Sequence, residues 1–308
     1  VVVSAGPVVA SVVGLVRYPL KGAAGVAVAR SRVDAIGLVG DRRWLLVDDD
    51  GRFVTQRQHP RLATLVVDTV FADGDGDVEV GLRLPWGVAH VPPSSPGRRL
   101  AVTVWKDRVD AFLADDEHHR ALSRWLGASV RLVHLGLPGG RRVDPAWCAD
   151  DAPGSADDPV VPVGFADGFG VLVASAASAR AVALAAGVDV PLDRWRANVI
   201  VDGAPPWAED GWSVVDVGAP GGPAARLALV KPCARCVVTT IDQRRGERGG
   251  DEPLSTLGRL RRSTDPRVGG ALFGVNAVVD RAATIAVGDD VTVVAARTPW
   301  PVAPASPG

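Results

Sequence analysis

The chain of 308 residues carries 34 Lys and Arg against 35 Asp and Glu, a formal charge of −1, with an isoelectric point near 6.6. That balance gives no global electrostatic case for nucleic acid or an anionic membrane. Three cysteines, Cys148, Cys233 and Cys236, are too few for a disulfide scaffold or a four-cysteine zinc site, and they fit a reducing cytoplasm.

The length suits one large domain or two intimate ones. With 35 Gly and 24 Pro beside abundant Val, the composition favours many short strands joined by turns. Residues 1–16 are mostly apolar, but they lack the basic start and small-residue cleavage site of a secretory signal. Pro7 and Gly14 interrupt the run and Arg17 stops it below spanning length, so it reads as a buried strand beginning near Val8 rather than a membrane span.

Further strands are expected at 26–35, 44–47, 63–70, 78–84 and 100–105, with Lys106-Asp107 closing a hairpin to 108–113. The acidic run at 73–77 resembles a calcium loop only superficially. Leu84 stands where such a loop needs a bidentate Glu, and a solvated turn is the expectation. A helix is predicted over 116–126, capped by Asp115 or Asp116 and ended by Gly127. His118 and His119 are adjacent on it, point apart and read as surface residues. Residues 136–159, rich in Gly, Pro, Asp and Ser, read as a connecting loop in which Cys148 is incidental.

In the second half, strands are expected at 160–163 and 171–174. Ser175 then caps an Ala-rich helix that ends near Gly187. More strands follow at 198–201, 213–217, 226–230, 236–241, 275–279 and 291–295, with one short helix at 254–262. The chain has no internal repeat, no P-loop and no G-x-G-x-x-G turn. The pattern is α+β and mostly β.

The densest chemical constellation is Lys231-Pro232-Cys233-Ala234-Arg235-Cys236, followed by Val237-Val238-Thr239-Thr240-Ile241-Asp242. Three readings of the C-x-x-C pair stay open. Zinc needs two further soft ligands, and only Cys148 and a His are at hand. A thioredoxin-like dithiol needs a helix directly after the pair, where β-branched residues stand instead. The third reading is a single thiolate at Cys236 on a metal already held by an organic cofactor, with Arg235 and Lys231 supplying positive charge nearby.

Eight separated motifs recur here in order. They are Tyr18-Pro19-Leu20-Lys21-Gly22, Gly40-Asp41-Arg42-Arg43-Trp44, Thr55-Gln56-Arg57-Gln58-His59-Pro60-Arg61-Leu62 and Phe165-Ala166-Asp167-Gly168. The others are Trp195-Arg196-Ala197-Asn198-Val199, Cys233-Ala234-Arg235-Cys236 with Thr239-Thr240-Ile241-Asp242, Glu252-Pro253-Leu254-Ser255-Thr256-Leu257, and Phe273-Gly274-Val275-Asn276. Together they resemble the MOSC family, in particular its two-part proteins of the amidoxime-reducing type. The resemblance implies a MOSC N-terminal β-barrel region over 8–135, a connecting loop at 136–159 and a MOSC domain over 160–298. It also implies that the first strands pack against the C-terminal barrel.

The resemblance further implies a molybdenum cofactor, a pterin bearing a dithiolene and a phosphate. Matched motif to motif, Cys236 is the expected sulfur ligand of the metal. Lys21, Arg42 and Arg196 are expected to serve the anionic and pterin groups, and Gly168 and Phe169 to let backbone approach them. Ala234 and Arg235 belong to the loop that wraps the cofactor, and Gly22, Asn198 and Asn276 to further pocket positions. Gly22 stands where animal relatives often carry Ser, and Asn276 where they carry an aromatic residue. Asp242 is either a carboxylate near the metal that handles protons or the cap of the following turn.

The activity implied is reduction of N-oxygenated compounds such as amidoximes. The chain has no dinucleotide fingerprint and too few cysteines for an iron–sulfur cluster, so electrons are expected from a separate haem, flavin or iron–sulfur protein. Two alternatives remain: a molybdenum cofactor carrier passing sulfur through a cysteine persulfide, and a cofactor-free β-barrel binding module.

Overall fold

The computed structural model describes residues 7–70, 79–92, 98–136, 141–148 and 161–305; the acidic run at 73–77 lies outside them. Among the described residues, seven strands close a barrel. Round the barrel they run Val199–Asp202, Val171–Ser175, Leu272–Arg281, Ala224–Ala234, Trp212–Gly218, Asp290–Ala296 and Val8–Arg17, which pairs back onto Val199–Asp202. All neighbours are antiparallel except Val171–Ser175 beside Val199–Asp202. That parallel pair flanks the Ala-rich helix Ala176–Ala186, as a parallel connection requires. Closure removes the exposed edges that an open sheet of Val-rich strands would present.

The closing stave comes from the N-terminus. Val8–Arg17 buries Ala10 and Val12, then Leu15 and Arg17, so its alternation slips by one residue. A bulge between Val12 and Gly14 causes the slip. It sits where Gly14 faces Ile200, whose nearest atom would lie 3.3 Å from a Cβ at that position. A second early strand, Arg30–Asp34, pairs with Ala283–Ala286 near the C-terminus. The first strands thus pack on the C-terminal barrel, as the resemblance implied. The barrel core is aliphatic, with Leu15, Val33, Val199, Leu227, Leu229, Val275 and Ile285 all buried.

The rest of the N-terminal region carries a four-stranded sheet in the order Trp44–Val47, Arg131–His134, Asp107–Leu113, Arg99–Val104. Beside it lies a meander of Val66–Val70, Glu79–Leu84 and Gly87–Val91. The helix Asp116–Leu126 starts after Asp115 and ends on Gly127 at φ 73°. Its two histidines are buried, contrary to expectation, and His119 Nε2 lies 3.2 Å from the Leu132 carbonyl. The helix packs on Arg131–His134, a strand the sequence pattern did not mark.

Other expectations shift. The strand expected at 26–35 divides into Val26–Val28 and Arg30–Asp34. Around 160–163 only the bridge Arg142 to Pro162 forms among the described residues. The strand through Cys233 runs on to Ala234, and a 3-10 turn, Val237–Thr240, replaces the strand expected at 236–241. Cys148 is buried among Val143, Val163, Ala166 and Val230, so it fills core rather than sitting idle in a loop. None of the described helices is long and apolar enough to cross a membrane.

A buried polar cluster sits at the turn Ala208–Gly211, against the barrel strands Leu272–Arg281 and Val171–Ser175. Glu209 is 1% exposed; its Oε2 accepts from Ser178 Oγ at 3.0 Å, while its Oε1 has no hydrogen-bond partner among the described residues. Burial, then the neighbouring Asp210, pushes the Glu209 carboxyl from 4.5 up to about 7. Burial also raises Asp210 to about 6, although Arg261 pairs with it. Both carboxyls bind protons more tightly folded than unfolded. Stability should therefore fall as pH rises from about 3.8 to about 7 and level off above. Denaturant titrations across that range should show this limb, and Glu209→Gln should flatten it and gain stability at pH 8. A variant that keeps the wild-type slope would show that Glu209 does not titrate there.

Candidate functional site

A cleft opens where the N-terminal region meets one end of the barrel, enclosing about 950 Å³ of space open to solvent. Eleven of the twelve site residues expected from the sequence line it: Lys21, Gly22, Arg42, Gly168, Phe169, Arg196, Asn198, Ala234, Arg235, Cys236 and Asn276. Asp242 does not. Its carboxylate accepts the backbone N–H groups of Arg244 and Arg245 at 2.9 and 3.0 Å, so it caps its own turn. Those N–H groups hold it below the usual carboxylate range.

Asn198 anchors the floor and is fully buried. Its Oδ1 accepts from Arg42 Nη1 at 2.8 Å and from the Leu172 N–H at 3.2 Å, while its Nδ2 donates to the Val16 carbonyl at 3.1 Å. Arg42 Nη1 also pairs with Asp41 at 2.6 Å, and Nη2 donates to the Arg196 carbonyl. Arg196 in turn donates to Gln243 Oε1 at 3.0 Å and to the Ala23 carbonyl at 2.8 Å. Burial, with Arg42 nearby, pulls its guanidinium down to about 10, so it stays charged at neutral pH.

Both guanidiniums lie against one ring, at 4.5 Å for Arg42 and 4.3 Å for Arg196 from the centroid of buried Tyr18. Arg42 and Arg196 also adopt positive φ, 45° and 52°, which non-glycine residues rarely do. Backbone bonds hold them there: Arg42 N–H donates to Tyr18 and its carbonyl accepts from Phe165, while Arg196 N–H donates to Asp193. Lys21 reaches across to the Phe165 carbonyl at 2.8 Å and pairs with Asp167. Burial lowers the Lys21 ammonium, and Asp167 opposes that shift. Buried Arg141 fixes this loop by donating to the carbonyls of Gly164, Ala166 and Asp167.

The two thiols part company. Arg235 donates Nη1 to Cys233 Sγ at 3.0 Å and Nη2 to the Trp195 carbonyl at 2.7 Å. Lys231 lies over the Trp147 ring at 4.8 Å. Neither of the cations expected beside Cys236 is bonded to it; Arg57 is, with Nη2 at 3.7 Å from Sγ. Arg57 stacks at 4.9 Å on Trp105, an exposed residue in the turn between Arg99–Val104 and Asp107–Leu113. Arg57 stood inside a motif already singled out, but nothing in the sequence linked it to Cys236 across 179 positions. Trp105 carried no signal beyond its place before a hairpin turn.

Chemically, the cleft offers an accessible sulfur beside several fixed cations. Two lining residues also keep buried N–H groups without a partner among the described residues, Arg235 Nε and Trp195 Nε1. An anionic, planar ligand rich in hydrogen-bond acceptors suits that set. Among the described residues no three His, Cys, Asp or Glu side chains converge as a metal site.

Comparison with known proteins agrees with this layout. A family model described as "MOSC N-terminal beta barrel domain" matches residues 9–129, and one described as "MOSC domain" matches residues 161–292. The chain is 30% identical to mitochondrial amidoxime-reducing component 1 of Homo sapiens over 294 residues, covering 89% of this chain and 80% of that protein. It is 29% identical to the Xenopus laevis protein of the same name, over 90% of this chain and 80% of the relative. It is also 28% identical to a molybdenum cofactor sulfurase of Drosophila pseudoobscura pseudoobscura, over 73% of this chain but only 26% of that protein.

The Tyr18 arrangement is testable. Tyr18→Leu removes the ring on which both guanidiniums rest and should cost about 2–4 kcal/mol. Tyr18→Phe should cost no more than about 1 kcal/mol, because the hydroxyl makes one long contact, 3.4 Å, to the Ala197 carbonyl. Urea denaturation of the two variants measures both, and equal losses would contradict this account.

Proposed function

The chain belongs to the MOSC family, and from that membership and the cleft we propose that it is a molybdenum cofactor-dependent oxidoreductase that reduces N-oxygenated compounds. The observation that carries the reading is the convergence of Cys236 Sγ with Lys21, Arg42, Arg196 and Arg235 in one cleft built from both halves. The donor set fits such a cofactor. It combines one protein sulfur, cations for a phosphate, buried N–H groups for a pterin, and Gly168, where no atom lies within 4 Å of a would-be Cβ.

In this reading Cys236 gives the metal its protein sulfur. Lys21 and the arginines hold the phosphate and pterin edges, and Asn198, Gln243 and Asp41 hold the arginines. Phe169 and Leu172 add apolar surface to the cleft wall. The cofactor, when bound, supplies a centre able to take up and pass on two electrons. Those electrons come from a separate haem, flavin or iron–sulfur protein. Asp242 handles no proton in this scheme, since its turn already uses its carboxylate.

A carrier role is the second reading, favoured by the likeness to the sulfurase and by two thiols lining one cleft. Expression in a host that makes the cofactor separates the two. The reductase reading predicts stoichiometric molybdenum and substrate-dependent oxidation of a reduced viologen with benzamidoxime. Cys236→Ser should lose at least about 100-fold in turnover. Cys233→Ser, which keeps an acceptor for Arg235, should retain most of it. Bound metal without turnover would favour the carrier, and equal losses in both variants would point to a dithiol site.

A further inference from the structure

The cations of the cleft differ in how they are compensated. Lys21 pairs with Asp167, Arg42 pairs with Asp41, and Arg196 and Arg235 each donate to two acceptors. Arg57 stands apart. Among the described residues its guanidinium meets only Cys236 Sγ and the face of Trp105, and no carboxylate pairs with it. It is half-buried, so water neutralises it only in part. Of the cleft cations it is also the one bonded to the sulfur at which the proposed chemistry centres.

Resting on the reductase reading above, we propose that Arg57 is the residue that meets the substrate's oxygen end and makes the site prefer neutral N-hydroxylated amidines over their cationic reduced products. The reaction gives this a purpose. An amidoxime takes up two electrons, from the separate donor protein, and two protons. Its N–O bond breaks, and an amidine and water leave. Oxygen on nitrogen weakens the base, so the amidoxime enters neutral, whereas the amidine takes a further proton from solvent and leaves as a cation. Unpaired Arg57 offers N–H donors to the substrate's hydroxyl oxygen and repels the amidinium that replaces it. Trp105 keeps the guanidinium extended toward Cys236 and has a second tie of its own, Nε1 to Asp167 at 3.2 Å.

The test compares benzamidoxime with benzamidine on the cofactor-loaded protein, by calorimetric binding and by steady-state reduction, in wild type, Arg57→Gln and Arg57→Lys. Wild type should bind benzamidoxime better than benzamidine. Arg57→Gln should bind benzamidine roughly tenfold more tightly and turn over benzamidoxime at least roughly tenfold more slowly, with its molybdenum intact. Arg57→Lys should restore the charge preference. Unchanged benzamidine affinity and kcat in fully loaded Arg57→Gln would overturn the proposal. Loss of molybdenum from that variant would overturn it too, by assigning Arg57 to the cofactor. A loaded wild type that reduces no N-hydroxylated compound contradicts the reductase reading alone, because the calorimetric comparison reads the charge preference without turnover.

Discussion

Asn198 is the joint on which the site depends. Its side-chain amide spends both of its ends inside the protein, one on the barrel strand that begins with Val171 and on Arg42, the other on the N-terminal stave at Val16. A fully buried amide left without these partners would cost about 1–3 kcal/mol. The amide therefore specifies one arrangement of the closing stave against the barrel, and with it the place of Arg42. Tyr18, one residue past that stave, then supports both Arg42 and Arg196.

Charge follows from this joint. The two arginines on Tyr18 are held largely by neutral acceptors, a carboxamide oxygen or a carbonyl, and among the described residues Asp41 is the one carboxylate that pairs with either. The cleft consequently keeps net positive charge in fixed positions before any ligand arrives. Such preorganisation lets an anionic ligand bind without reordering long side chains. Like-charged guanidiniums near one another disfavour the folded state, and the stacking on Tyr18 and the backbone bonds at positive φ offset that cost. Among the described residues Arg57 differs in having no such neutral or anionic anchor beyond a sulfur and an aromatic face.

Much of the fold was legible because Val-rich alternation and turn residues mark strands well. The helices beginning at Asp116 and Ala176 were legible from their caps. What escaped has physical causes. The bulge at Gly14 breaks the alternation of Val8–Arg17. Arg131–His134 carries two charged or polar ends in four residues, so it shows no apolar run. His118 and His119 are polar by type, yet both are buried, and His119 meets that unmarked strand at Leu132. Val237–Thr240 has β-branched composition but follows the end of a long stave, where the chain turns in a 3-10 geometry instead. In the site, eleven lining residues could be named in advance from the separate motifs that carry the family resemblance. The partner of Cys236 could not, because only the closed topology brings Arg57 to it, and charges adjacent in sequence were spent on Cys233 and Trp147.

The central claim is that Cys236 presents its sulfur to a metal in a cleft assembled from both halves of the chain. X-ray absorption at the molybdenum edge of the loaded protein tests it most directly. The account predicts one sulfur neighbour more in the wild type than in Cys236→Ser, with no loss in Cys233→Ser. An unchanged sulfur count in Cys236→Ser, with metal still bound, would contradict it.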